Sequence, residues 1–181
     1  MLSHDFILGM IAGEGSFHVL MEQPSGGTID RQRPVFTMTM HEDDILRQMA
    51  LQLGLGVVTD DAGERFTWRI NNKQQVNQMR NWVLENISED FKATDKFRQF
   101  KLWSEAVDII PDDRTPLSKL QRKRLVEISY EIPKSDTKNL SKDEWFEIIE
   151  NTDIHYCGAE TQSGEECGNR VPTESAKCRH H

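Results

Sequence analysis

Apolar positions recur along this chain with two periods, and the switches between them set out an order of elements. Phe6 to Gly13 is a short apolar stretch holding two glycines and ending at Glu14-Gly15, where glycine is a natural helix stop. Residues 16–21 then alternate: Phe17, Val19 and Met21 turn toward a core while Ser16, His18 and Leu20 point the other way. Pro24 to Arg33, with Gly26-Gly27, reads as a loop of turn formers, and Val35 to Met40 as a second strand with Phe36, Met38 and Met40 on one face and Thr37 and Thr39 on the other. Behind the acidic start Glu42-Asp43-Asp44, the residues Ile45, Leu46, Met49, Ala50 and Leu53 return at helical spacing until Gly54. Val57 to Asp60 and Phe66 to Ile70 flank Asp61-Ala62-Gly63-Glu64 as a half-buried hairpin, and Val76, Met79, Val83 and Ile87 restore the helical period.

Two further helices come next. One carries Phe97, Phe100, Trp103, Val107 and Ile110; after a break at Pro111-Asp112-Asp113, the other runs from about Leu117 to Ile132 and stops at Pro133. Lys134 to Leu140 is polar linker, and Ser141-Lys142-Asp143-Glu144 has the form of a capping box ahead of Trp145, Ile148 and Ile149. No internal repeat is present, so the αββαββα unit occurs once.

With 181 residues, 36% of them hydrophobic, the chain suits one ordinary domain and a small appendage. No apolar run approaches the roughly 18 residues that span a bilayer, and Phe6 to Ala12 follows His4 and Asp5 rather than a basic segment, which excludes a membrane protein and a signal peptide and predicts an intracellular, cytoplasmic one. The net charge of -8 first argues against nucleic acid. Its distribution changes the picture, because residues 92–124 carry nine basic against five acidic groups. From charge alone that stretch is an ordinary solvated helix face; an acidic protein still docks on DNA locally where a salt-rich cytoplasm screens the repulsion.

The first helix carries the candidate chemistry. Gly9 and Gly13 lie four apart and leave one helix face bare, so a second helix can approach its backbone; with a single copy in the chain, a symmetric homodimer through Gly9, Ala12 and Gly13 is the economical partner. Glu14 then sits at a helix C-terminus, where the macrodipole disfavours a carboxylate by about 0.3–1 kcal/mol and calls for a positive group. Across a twofold axis two such carboxylates need a shared proton or a cation, and Mg²⁺ suits both carboxylates and phosphates. An isolated Glu-Gly would be no more than an exposed helix end.

The string Ile7-Leu8-Gly9-Met10-Ile11-Ala12-Gly13-Glu14-Gly15-Ser16-Phe17, heading this order of elements, resembles the signature of the LAGLIDADG homing endonucleases. The resemblance covers residues 1 to roughly 132. It implies an α+β fold, an αββαββα saddle whose curved sheet lies in the DNA major groove; the extra C-terminal helices and a candidate zinc-binding tail are additions to that unit. It further implies that Glu14 holds a catalytic Mg²⁺ with the backbone carbonyl of Gly13, and that Lys96 stabilises charge or positions water at the scissile phosphate. Alternation selects Ser16, His18, Thr37, Thr39, Thr67, Arg69 and Asn71 for the DNA-reading face, with Arg31, Arg33 and Lys73 in flanking loops as phosphate contacts. The chain departs from the family at Met40, where relatives often hold a catalytic water with a polar side chain, and at Thr59 and Asp61, where they often place basic groups.

Cys157, Cys167 and Cys178 with His180 or His181 make a candidate closed Cys₃His site for structural Zn²⁺, with Gly158 and Gly164 supplying turns. About 25 residues bury no core alone, so metal would supply their folding energy; the bland alternative is a tail with incidental cysteines. The segment loosely resembles small zinc ribbons at the ends of phage and mobile-element proteins. The expected organisation is an endonuclease-like domain over 1–133, a linker and short helix over 134–151, and a zinc module over 152–181. The expected function is a homodimeric, Mg²⁺-dependent DNA endonuclease making double-strand cuts in a long pseudopalindromic site. The alternative is a saddle that binds DNA or RNA without efficient cleavage, as a splicing helper or transcriptional regulator.

Overall fold

The computed structural model describes residues 1–22, 31–61, 64–111, 117–132, 140–153, 155–156, 159 and 170–171. The elements run α1 (His4–Glu14), β1 (Gly15–Glu22), β2 (Arg31–Met40), α2 (Asp43–Leu53), β3 (Val57–Asp60), β4 (Phe66–Ile70), α3 (Lys73–Asn86), α4 (Glu89–Lys92), α5 (Asp95–Ile109), α6 (Lys119–Glu131), α7 (Lys142–Asn151), β5 (His155–Tyr156) and β6 (Arg170–Val171). β1 to β4 form one antiparallel sheet in the order β1-β2-β4-β3, and β5 pairs with β6. This is the α+β order expected from the sequence, with two differences. β2 begins at Arg31 rather than Val35, because β1 pairs with it from Glu22↔Arg31 onward. Pro34 is tolerated there since β4 joins β2 only from Phe36, leaving that edge without a ladder bond to lose. α4 is one turn capped by Ser88 onto Phe91 N, too short to show a period.

The sheet buries the face carrying Phe17, Phe36, Met38, Trp68 and Ile70 against Ile7, Leu8 and Ile11 of α1, Met79 and Val83 of α3, and Phe100 and Trp103 of α5. Phe17 is the hub of this aromatic core, 5.1 Å from Phe36, 5.4 Å from Phe100 and 5.0 Å from Trp103 between ring centroids. The entry to β3 is tightly specified: Gly56, at φ 74, allows the chain to pass under Trp68 and Ile70, and a Cβ there would lie 2.5 Å from Arg69 O and 2.6 Å from Trp68 Nε1. Gly56→Ala is therefore expected to cost about 2–4 kcal/mol, combining left-handed strain with overpacking, and to lower the denaturant midpoint accordingly.

α6 packs on β1 and α5, with Ser129 Oγ donating to Val19 O at 3.3 Å. α7 docks in turn on α6, burying Trp145 and Ile149 beside Val126. Both helices start with complete capping boxes, Ser118 with Gln121 and the expected Ser141 with Glu144. The basic excess of residues 92–124 is largely met within the fold: Lys92 pairs with Glu89, Lys119 with Asp153 and Lys123 with Glu150. Arg124 holds Glu105 through two bonds of 2.7 and 3.0 Å and also reaches Glu127 and Glu131. Arg122, 1% exposed, donates to Thr152 O at 2.9 Å. Among the described residues no helix is long and apolar enough to cross a membrane.

The Arg124 guanidinium holds the Glu105 carboxyl below its ordinary value through their hydrogen bond, against a smaller opposing effect of burial. A carboxylate depressed in the folded state adds stability above its unfolded pKa and loses it as pH falls through the folded value. Arg124→Met is accordingly expected to cost about 0.5–1 kcal/mol at pH 7, solvent screening having been allowed for, and progressively less below about pH 4. Thermal melts of both proteins across that range measure the difference.

Candidate functional site

Glu14 is the last residue of α1 and is exposed, and Gly15 opens β1 without any intervening loop. Gly15 has extended backbone, φ -67 and ψ 148, so it does not end the helix by the left-handed turn that a terminal glycine suggests. It is needed for space instead: a Cβ would meet Ile11 O at 2.6 Å and the Phe36 ring at 3.0 Å. The tight exit fixes Glu14 at the head of the sheet.

The positive group that this position calls for is Lys96. It is the second residue of α5, whose start is set by the Thr94 side chain accepting from Phe97 N. Its ammonium donates to Gly15 O. Burial lowers the Lys96 pKa while the negative charge of Glu14 works against that lowering. The pair expected from sequence, far apart in the chain, thus meets at the end of α1.

Glu14 opens onto a cleft of about 480 Å³ that it shares with Thr39, Met40, His41, Glu42 and Arg65. His41 Nδ1 lies 2.9 Å from Glu64 O; a carbonyl only accepts, so Nδ1 carries the proton and Nε2 is the other nitrogen left for outside contact. Glu64 has φ 66, a conformation that aims this carbonyl back at the end of β2. His41, Glu42 and Arg65 are not among the residues expected from sequence. The register Met40↔Phe66 brings them together, and its only signal in the chain is the pairing of β2 with β4 across an intervening helix.

The Glu14 carboxylate, a hard oxygen donor facing an open polar cleft, fits a hard divalent cation. Among the described residues no cluster of three His, Cys, Asp or Glu could hold a metal, so a cation here would take further ligands from waters, phosphates or a second copy of the chain.

The sheet face away from the helices is organised by register into rows. Ser16, Thr37, Arg69 and Val57 stand in one row, and Thr39, Thr67 and Thr59 in the next. Ser16, Thr39 and Arg69 are exposed, as is Asn71 beyond β4. Thr67 is only 5% exposed, and its hydroxyl is engaged by Asp61 and Thr39, so it supports this face rather than offering a contact. His18 is half-buried opposite Val35, itself buried, which interrupts the polar surface. Arg31 and Arg33 belong to β2, not to a loop, and Arg33 is paired with Glu22; Lys73 is the first residue of α3. Arg31 and Arg33 lie at the far end of β1 and β2, about 20 Å from Glu14 by strand rise.

The bare face of α1 is open: a Cβ on Gly9 or Gly13 would meet nothing within 4 Å. Gly9 and Ala12 line a groove of about 490 Å³ with Asp5, Leu8, Ser88, Asp90, Phe91 and Thr94. The candidate zinc ligands Cys157, Cys167, Cys178 and His180, with His181, lie outside the described residues.

No family model matches the chain, and no curated protein matches it by sequence. Solved structures do match. The archaeal intron-encoded homing endonuclease I-Vdi141I, complexed with DNA, is 25% identical, with a TM-score of 0.71 over 81% of this chain and 94% of that one. The homing endonuclease I-CvuI, solved with a DNA target in the presence of Mg, is 12% identical, with a TM-score of 0.65 over 81% and 92%. The LAGLIDADG meganuclease I-CpaMI, bound to uncleaved DNA, is 19% identical, with a TM-score of 0.62 over 86% and 62%. The chain has the LAGLIDADG homing endonuclease fold.

Proposed function

We propose that this chain is a site-specific DNA endonuclease that acts as a homodimer and makes double-strand cuts in a long pseudopalindromic site. The observation that carries the reading is the meeting of Glu14 and Lys96 at the end of a bare-faced helix, at the head of an antiparallel sheet whose outer face presents Ser16, Thr39 and Arg69. The DNA-bound neighbours support double-stranded DNA as the substrate, and I-CvuI, solved with Mg, supports a divalent cation. Glu14 and the Gly13 carbonyl would hold Mg²⁺, which when bound supplies Lewis-acid polarisation of the phosphate and activation of water. Lys96, anchored on Gly15 O, holds a positive charge beside the phosphate, where negative charge grows during strand scission. Ser16, Thr39 and Arg69 face base edges, with Asn71 beside them. Arg31 and the half-buried His18 and Thr37 extend the contact along β1 and β2, over about 20 Å or roughly six base pairs per protomer. Thr67 holds this face together. Arg33 and Lys73 serve at its margin as phosphate contacts once phosphate competes for their present partners.

The binding-only reading is favoured by one observation: Met40 lines the Glu14 cleft, where its thioether cannot hold a water as a polar side chain would. The carboxy-terminal Cys157, Cys167 and Cys178 with His180 are proposed as a structural Zn²⁺ site, the module over 152–181 contacting DNA or protein, and one bound zinc per chain is the expected metal content. Incubating the protein with a randomised double-stranded library in Mg²⁺ and in EDTA tests the main reading. Sequence-specific double-strand cuts in Mg²⁺ alone support it; selective retention with no cutting in either buffer gives the case to the binding-only reading.

A further inference from the structure

Asp61 stands just beyond β3, where the family resemblance leads one to expect a basic contact, yet its carboxylate is turned onto the sheet, accepting a hydrogen bond from the Thr67 hydroxyl. That bond sets the direction of the Thr67 and Thr39 hydroxyls. A threonine hydroxyl has one proton and two lone pairs, and a carboxylate only accepts. The proton of Thr67 is therefore committed to Asp61. The 2.7 Å contact between Thr39 Oγ1 and Thr67 Oγ1 then has one possible donor, Thr39. Thr39, exposed on the outer face and lining the Glu14 cleft, has its proton directed inward and presents only lone pairs outward. Thr59, at the other end of the row, points its proton the same way, onto Thr67 O at a long 3.4 Å.

We propose that Asp61, acting through Thr67, makes Thr39 an obligate hydrogen-bond acceptor that selects a base bearing an exocyclic amino group in the major groove. This rests on the DNA-binding reading above and deepens it. Adenine N6 and cytosine N4 offer a proton at the major-groove edge, whereas guanine and thymine offer O6 and O4, which would face the Thr39 lone pairs with no proton between them. The neighbouring row differs in kind, since Arg69 brings donors and Val57 an exposed apolar side chain. Asp61 is thus a positioning residue that touches no base. It does what a directly contacting basic group could not do, removing the ambiguity that lets an unsupported threonine accept either kind of base.

The test is selective retention of a randomised double-stranded library by the full chain under non-cleaving conditions, in Ca²⁺, for the wild type, Thr39→Ser, Thr39→Val and Asp61→Asn. Thermal melts check that each variant is folded. The wild type is expected to show one position per half-site restricted about tenfold to adenine or cytosine. Thr39→Ser keeps that restriction, and Thr39→Val loses it while every other position is unchanged. Asp61→Asn can donate to Thr67, release the Thr39 proton outward and admit guanine and thymine at that same position. A retained motif that a folded Thr39→Val or a folded Asp61→Asn leaves unaltered at every position overturns the proposal alone. So does a Thr39-dependent position that prefers guanine or thymine in the wild type. A wild type that retains no sequence over any other overturns the DNA-binding reading and the proposal together. If Asp61→Asn does not fold, Thr67→Val, nearly isosteric and lacking the hydroxyl that relays Asp61 to Thr39, replaces it and is expected to free the Thr39 proton and admit guanine and thymine at the same position.

Discussion

Glu14→Gln is expected to lower strand cleavage by at least roughly 10²-fold while leaving both the fold and the set of retained DNA sequences unchanged. The side chain is exposed and has one negative charge to offer a cation; glutamine keeps the shape and removes the charge. At a helix C-terminus the lost charge relieves an unfavourable macrodipole interaction of about 0.3–1 kcal/mol, partly offset by the lost attraction to Lys96. Melting temperature should then stay level or rise slightly while activity disappears, whereas damage to a structural residue would lower both. Cleavage in Mg²⁺, retention in Ca²⁺ and a thermal melt on the same two proteins measure all three quantities. Cleavage within a few-fold of the wild type would remove Glu14 from the chemistry.

How much of such a site is legible in a sequence depends on which forces are local. The end of α1 is legible because a helical period, a glycine and a carboxylate are adjacent in the chain, and so is the Ser141 capping box. The reason for Gly15 is not, since the Phe36 ring that requires it arrives from another strand. Strand faces come from alternation, and Ser16, Thr37 and Arg69 do share a row. Alternation cannot see which polar residues on a face are consumed by one another, as Thr67 is by Asp61 and Thr39, nor that Val35 is buried on the outer side. The basic stretch over residues 92–124 illustrates the same limit in charge: its partners Glu131, Glu150 and Asp153 come from beyond it in the chain, so counting within the segment overstates what it has left for phosphate. His41, Glu42 and Arg65 depend on a strand order with a helix between partners, and nothing local in the chain marks that contact.

Gly9→Leu is expected to leave the protomer at least as stable as the wild type and to abolish both assembly and cleavage. Within one protomer nothing lies within 4 Å of a Cβ at Gly9, so a larger side chain enters open space, and replacing glycine inside a helix should gain roughly 1 kcal/mol of helix propensity. If two α1 helices pack face to face through Gly9, Ala12 and Gly13, their backbones approach closely because no side chains separate them, and a leucine on each forces them apart. The same separation would pull the two Glu14 carboxylates away from a common site, so cleavage should fail even with DNA supplied at saturating concentration. Sedimentation at micromolar protein, with and without DNA, reads the assembly directly, and a melt reads the protomer. A variant that melts higher, sediments as a monomer and does not cut would tie the bare helix face to function with no folding defect to explain the loss. A dimeric, active Gly9→Leu protein would mean that this face is not where two copies meet, and the groove lined by Asp5, Asp90 and Phe91 would need another occupant.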